Sequence, residues 1–232
     1  FTVDTTLPTI TAIATSAFSW GSHLNATEDN SDGTVTVTTG GVENSQDVTI
    51  TLNGQAYTGS VSSNSATVTI TASALQALSE GSETLTADVS DVAGNAAAQV
   101  TSASFTVDTV LPTLVSAITG DNNSDGTVDR LVLTFSEQVD LTSVDNNNFT
   151  LTESAGGSPT ITGSYSSSDQ TTVTLTLTGV SANNTSLTIS PDYEDATGTI
   201  IDYAGNEMSF SETVSGTDGA APVFSSITPT EN

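Results

Sequence analysis

Residues Thr34-Val35-Thr36-Val37-Thr38 alternate polar and apolar side chains without a break. A period of two belongs to a strand with one face in a core and the other in water. The same rhythm recurs over Val48–Leu52, Gln55–Tyr57, Ala66–Thr71 and Glu83–Val89, with further strands expected over Thr9–Ile13 and Ala96–Val107. Asn53-Gly54 falls between two of these runs, where two residues able to take positive φ predict a type I′ hairpin turn. Ala72–Leu78 has no alternation and is read as one or two helical turns. Ser16–Gly33 is read as one long loop, and Asp91-Val92-Ala93-Gly94-Asn95 as a tight turn.

The pattern then starts again. Strands are expected over Thr113–Ile118, Leu131–Phe135, Phe149–Thr152, Thr160–Tyr165, Thr172–Leu177, Ser186–Ser190 and Glu207–Val214. Gly120–Asp129 and Pro191–Asn206 are read as loops, the latter containing a second Asp-x-Ala-Gly-Asn turn, Asp202–Asn206. Short strands rich in Thr, Val, Ile and Leu, separated by Gly and Asn turns, make the chain all-β.

A linker marks the joints. Phe1-Thr2-Val3-Asp4-Thr5-Thr6-Leu7-Pro8 returns as Phe105-Thr106-Val107-Asp108-Thr109-Val110-Leu111-Pro112, and in worn form as Asp218-Gly219-Ala220-Ala221-Pro222. Proline donates no ladder bond and extends the residue before it, which suits a junction. Repeats of roughly a hundred residues fit tandem immunoglobulin-like sandwiches rather than a solenoid. The expected domains are 1–108 and 109–218, with 219–232 opening a third, arranged as an extended monomeric rod.

Charge changes the picture most. The chain has 27 Asp and Glu against a single Lys or Arg, Arg130, and a formal charge of −26. Nucleic acid is excluded as a partner by that field, and no apolar run reaches membrane-spanning length. Cys is absent, so no disulfide staples the chain. Clustered carboxylates need cations, held either as a diffuse atmosphere or at fixed sites. Oxygen-only donors point to calcium among the fixed choices. The competing reading is a surface kept acidic for solubility or high salt.

Two loops carry the spacing of a calcium loop. Glu28, Asn30 and Asp32 precede Gly33, and Asp121, Asn123 and Asp125 precede Gly126, with Asp129 further on. Oxygen side chains at positions 1, 3 and 5 followed by Gly at 6 form the first half of an EF-hand loop. The bidentate acid at position 12 is missing, since Val132 stands there, and a strand follows instead of a helix. Ordinary Asp-Gly turns would look the same. Sandwich topology places the first loop of a domain at its C-terminal end and the Asp-x-Ala-Gly-Asn turn at its N-terminal end. Glu28, Asp29 and Asp32 are thus expected to approach Asp108, and Asp88, Asp91 and Asn95 to face Asp4. Asp192, Glu194, Asp195, Asp202 and Asn206 are expected at the start of the second domain, and Asp121, Asp125 and Asp129 beside Asp218.

The Asp-Thr-x-x-Pro linkers, Leu24-Asn25-Ala26-x-Glu28 and the Asp-x-Ala-Gly-Asn turns together resemble the bacterial immunoglobulin-like repeats of giant calcium-binding adhesins, of RTX and biofilm-associated types. Leu133-Thr134-Phe135-Ser136-Glu137 and Asn148-Phe149-Thr150 in the second domain resemble related modules of surface-layer proteins. The resemblance implies secreted, cell-surface spacer repeats whose linkers are stiffened by calcium, with neighbouring repeats as partners and no catalysis. Other readings are a glycan- or protein-binding module, for which Trp20, Tyr57, Tyr165, Tyr193 and Tyr203 would supply the aromatic shelf, and an accessory spacer of a secreted enzyme. The lone His23 makes a zinc site or a catalytic triad unsupported, and Trp20 is expected as a core or junction plug.

Overall fold

The computed structural model describes residues 3–153, 157–166, 169–180, 187–191, 199–208 and 214–217. The chain divides into two compact units, Phe1–Val110 and Leu111–Asn232.

The first unit contains β1 (Thr9–Ile10), β2 (His23–Leu24), β3 (Gly33–Gly40), β4 (Asp47–Leu52), β5 (Gln55–Ser60), β6 (Ser65–Ile70), the single-turn helix α1 (Ala72–Leu75), β7 (Gly81–Glu83), β8 (Thr86–Asp88), β9 (Val100–Thr101) and β10 (Phe105–Val107). Its sheets run β1-β3-β6, β5-β4-β8-β9 and β2-β10-β7. Alternation does the sorting: Val35 and Val37 of β3, Val48, Ile50 and Leu52 of β4, and Ala66, Val68 and Ile70 of β6 all point into one core. The β4–β5 hairpin turns at Asn53 and Gly54, with φ of 47° and 73°, as a type I′ turn requires.

Two differences from the sequence reading matter. The long Ser16–Gly33 segment contains a strand, β2, which pairs in parallel with the last strand, β10. The two final strands are also each broken, into β7/β8 and β9/β10. At the break, the Ser102 hydroxyl accepts the Leu85 N–H at 3.1 Å and donates to the Ala103 carbonyl at 2.8 Å. A side chain thus stands in for the missing ladder bond, which keeps a buried polar position satisfied.

The second unit contains β11 (Leu114–Gly120), β12 (Arg130–Phe135), β13 (Phe149–Glu153), β14 (Thr160–Ser166), β15 (Thr172–Thr178), β16 (Leu187–Pro191) and β17 (Val214–Ser215). Its sheets run β11-β12-β15-β14 and β13-β16-β17. Leu131, Leu133 and Phe135 of β12 and Val173, Leu175 and Leu177 of β15 supply much of its core. Most of the strand expected over Glu207–Val214 lies outside the described residues; β17 begins at its last position. Among the described residues, no helix is long and apolar enough to cross a membrane.

Trp20 is a core residue. It stacks on Phe18 with ring centroids 5.2 Å apart and meets Phe105 edge-on at 5.4 Å. Its ring lies against Gly33, where a Cβ would come within 2.6 Å of it. Gly33→Ala should therefore overpack this corner and destabilise the first unit by about 1–3 kcal/mol. Denaturation followed by the emission of the sole Trp measures this. An unchanged midpoint would mean that the ring has room to move.

Candidate functional site

The two Asp-x-Ala-Gly-Asn turns adopt one geometry. In the first unit, the Asp91 carboxylate accepts the Asn95 backbone N–H at 2.7 Å and its side-chain amide at 2.8 Å, while Asp91 N–H donates to the Asn95 carbonyl at 3.0 Å. In the second, Asp202 accepts the same two donors from Asn206 at 2.9 and 2.8 Å, and also the Ala204 N–H at 2.8 Å. Gly94 and Gly205 sit at φ of 90° and 89°, a region that favours glycine. Asp91, Asp202 and Asn206 are all buried. The pentapeptide is thus a closed turn whose acid is held by its own Asn. These bonds, led by the Asn95 side chain, hold the Asp91 carboxyl below its usual range.

The turn also catches the preceding linker. Asn95 Nδ2 donates to the Asp4 carbonyl at 3.3 Å, and Asp4 Oδ1 accepts the Thr6 N–H at 2.9 Å. Glu43, which the sequence reading did not single out, joins them by accepting the Val92 N–H at 3.1 Å. Asp4, Glu43 and Asp91 therefore gather at one pole of the first unit. Asp88 lies on the sheet, where it accepts the Gln99 side-chain amide.

In the Glu28–Gly33 segment the oxygen side chains bond neighbouring backbone and side-chain groups. Asn25 and Glu28 form a reciprocal cap: Asn25 Oδ1 accepts the Glu28 N–H at 2.9 Å and Glu28 Oε2 accepts the Asn25 N–H at 3.2 Å. That explains the Leu24-Asn25-Ala26-x-Glu28 signature. Asn30 bonds Gln76, and Asp32 accepts the Ala72 N–H at the start of α1. Asp29 is left beside Glu80, a second acid that the sequence reading passed over. Desolvation, with Glu80 repulsion behind it, raises the Asp29 carboxyl above its usual value. The Glu80 carboxylate takes both the N–H and the hydroxyl of Thr109, and Asp108 N–H donates to the Leu24 carbonyl at 3.0 Å.

The loop between β11 and β12 is closest to the expected form. Asp121 accepts the N–H groups of Asp125 and Gly126, Asn123 accepts that of Asp125, Asp125 that of Thr127, and Asp129 that of Asn122. The Thr127 N–H is the main cause holding the Asp125 carboxyl below its usual range. Arg130 reaches Asn122 at 3.4 Å, so the protein's one guanidinium stands beside this loop. Elsewhere in the second unit, Glu137 and Asp202 bring carboxylate oxygens within 4.8 Å of each other. Asp192, Glu194, Asp195 and Asp218 lie outside the described residues.

The donors in these places are carboxylate, amide and carbonyl oxygens, the hard set that suits calcium. A carboxylate offers about four lone-pair sites, so those bonded to N–H groups keep capacity for an ion. Two unit charges 4 Å apart repel by about 4 kcal/mol at an effective dielectric of 20, and only Arg130 offers a fixed positive charge in return. The donor set fits calcium best where acids face acids, at Glu137–Asp202 and Asp29–Glu80.

The acid limb of stability should follow Asp91. Its folded pKa lies below the ordinary 3.8, so its contribution is present above that pH and is lost as pH falls through the folded value. The difference in denaturation midpoint between wild type and Asp91→Asn should be constant near neutrality and shrink below pH 3.8. A difference independent of pH would show that the Asp91 charge contributes nothing.

No curated protein matches this chain at a significant level. Among solved structures it is similar to one of a 1.5-MDa bacterial ice-binding adhesin (20% identity, 92% of this chain and 64% of that one, TM-score 0.47). It is also similar to a Ca2+-stabilised adhesin by which an Antarctic bacterium binds ice (20% identity, 93% and 49%, TM-score 0.38). A bacterial immunoglobulin-like domain from the M. primoryensis ice-binding adhesin aligns with 44% of the chain at 28% identity and TM-score 0.31, covering 96% of that domain. The chain thus spans less than two thirds of the two larger structures. Residues 108–217, within an all-β chain of immunoglobulin-like sheets, match the bacterial Ig-like domain family.

Proposed function

We infer that this chain is a pair of non-catalytic spacer repeats from a bacterial cell-surface adhesin, and that calcium stiffens it. The observation that carries the reading is the match of residues 108–217 to bacterial Ig-like domains, in a chain whose first unit builds the same locked turn from the same Asp-x-Ala-Gly-Asn pentapeptide. A repeat that conserves its junction chemistry while its strands diverge is suited to tandem assembly. The function is then spatial: the repeats hold a distal ligand-binding region away from the cell.

Each part of the chain has a task in this reading. The Asp–Asn turns close the N-terminal pole of each repeat. Asp4, Asp108 and Asp218 stand four residues before proline in each linker, where acids from the loops would share a cation with them. Calcium, when bound, supplies the positive charge that the side chains lack. The Glu137–Asp202 pair and the Asp29–Glu80 pair are the first places it would be held. The extracellular setting follows from the same reading, because calcium at millimolar concentration fills sites of modest affinity there.

Calcium should raise the melting temperature. An ion that binds only the native state adds RT ln(1 + [L]/Kd), about 2.7 kcal/mol at a hundredfold excess over Kd. Magnesium should do less, since it demands a small octahedral site. The measurement is a thermal melt in chelator, calcium and magnesium at constant ionic strength. Coincident curves in chelator and calcium would remove fixed sites and leave a diffuse ion atmosphere. Glu137→Gln should take away part of the calcium shift and none of the chelator-state stability.

A further inference from the structure

Arg130 is the sole Lys or Arg of the 232 residues. A protease whose S1 pocket carries a carboxylate selects a basic residue just before the bond it cuts. Such an enzyme has one bond to attack in this sequence, Arg130–Leu131. Hydrolysis there adds one water, leaving a carboxylate on Arg130 and an amine on Leu131.

The side chain that such a protease selects is within its reach. Arg130 is exposed, approaches Asn122 at 3.4 Å and lies across Gly120, where a Cβ would collide with its Nε. The backbone is out of reach. A protease of this class takes its substrate as an extended strand, hydrogen-bonded to the enzyme's own main chain. In β12 both edges are already taken, since Arg130 pairs with Gly120 of β11 on one side and Thr176 of β15 on the other. Its neighbour Asp129 donates its N–H to the Gly120 carbonyl at 3.0 Å and accepts the Leu177 N–H at 2.7 Å. Val128, Leu131 and Leu133 flank the bond and are buried in the core of the second unit. Seating the strand in an enzyme would expose all three to water. The preceding loop has no slack to lend, because Asp129 accepts the Asn122 N–H at 2.7 Å and Asp121 the Gly126 N–H at 2.8 Å. Nicking ordinarily falls on exposed loop tips, and here the one basic residue stands in a central strand.

We propose that Arg130–Leu131 is a conditional cleavage site: proteases specific for basic residues leave the folded chain intact and cut it once, at this bond, when the second unit unfolds. The substrate is the open state of that unit and not its native surface. The use of this protection outside a cell rests on the spacer reading above, but the protection itself does not. Where opening and closing are fast relative to cleavage, the cutting rate follows the population of the open form.

The test is digestion of the full chain by trypsin under native conditions, at one fixed ionic composition, so that calcium has no part in the comparison. A peptide of residues 125–136 offers the same subsites without the fold. The folded chain should be cut at least about a thousandfold more slowly than the peptide, as an open fraction of about 10⁻³ or less requires. Mass spectrometry should find the fragments 1–130 and 131–232 and no others, and Arg130→Gln should yield neither, even in urea. Val110→Arg puts a basic residue into exposed backbone beyond β10 and should be cut rapidly in the native chain. Leu133→Ala removes a buried side chain from β12. It should speed cutting at Arg130 by the factor by which it raises the unfolding constant, measured by circular dichroism in denaturant. Should it fail to fold, it should be cut at the peptide's rate, and Leu133→Val takes its place in the comparison. The proposal is overturned if the native chain is cut at Arg130 as fast as Val110→Arg is cut at residue 110. It is equally overturned if the Leu133 variants lose stability with no change in cutting rate, which would place cleavage in the folded state. A Val110→Arg chain that resists as wild type does would put the protection in the acidic field instead of the strand, and overturns it as well.

Discussion

Carboxylates in this chain cannot rely on basic side chains. With 27 acids and one Lys or Arg, most of the charge must be met by backbone N–H groups, by side-chain amides or by ions from solution. The described structure shows the first two at work. Asp91 and Asp202 close turns, Asp32 meets the first N–H of α1, Glu28 completes a cap, and Asp121, Asp125 and Asp129 fold a loop around themselves. Charge-assisted bonds of this kind are shorter and stronger than neutral ones. The acids thus hold the connections between strands, while the strands themselves are nearly neutral ladders of Thr, Val, Ile and Leu.

That division explains what was legible in the sequence. Strand positions follow from alternation, and β3, β4, β6, β12 and β15 lie where the period of two puts them. The Asn53-Gly54 turn and the single helical turn at Ala72 follow from backbone preference. β2 was not legible, because two residues, His23 and Leu24, carry no period of their own. It exists because β10 offers an open edge beside it. The breaks in the last two strands escaped for a similar reason: Ser102 replaces a ladder bond with its hydroxyl, and nothing in an isolated Ser signals that.

The candidate site was half legible. Repetition pointed to Asp91, Asn95, Asp202 and Asn206, and they do form matched constellations. Their spacing could not say that each Asp is held by its own Asn. In the Glu28–Asp32 stretch, whose spacing fits a metal loop, the spacing could not say that Asn30 and Asp32 also bond the residues of and beside α1. Glu43 and Glu80 stood outside any motif, and Glu137 closed the Leu133–Glu137 motif without being singled out as a ligand. Each became visible only when topology brought it to another acid or to a turn: Glu43 to Val92, Glu80 to Asp29 and Thr109, Glu137 to Asp202.

The same logic connects the turns to the terminal strands. A tandem repeat must pass its chain in at one pole and out at the other. In a sandwich this makes the first and last segments run in the same direction, so wherever they touch they pair in parallel. A parallel pair needs no particular side chains, since its bonds are backbone bonds. This is why the pairing, β2 with β10 in the first unit and Ile118 with Thr217 in the second, survives between units whose terminal sequences share so little. The turns differ in this respect, because a carboxylate and an amide must meet, and there the pentapeptide is retained. Sequence similarity between the units is therefore concentrated where side chains make the bonds, and is lost where the backbone makes them.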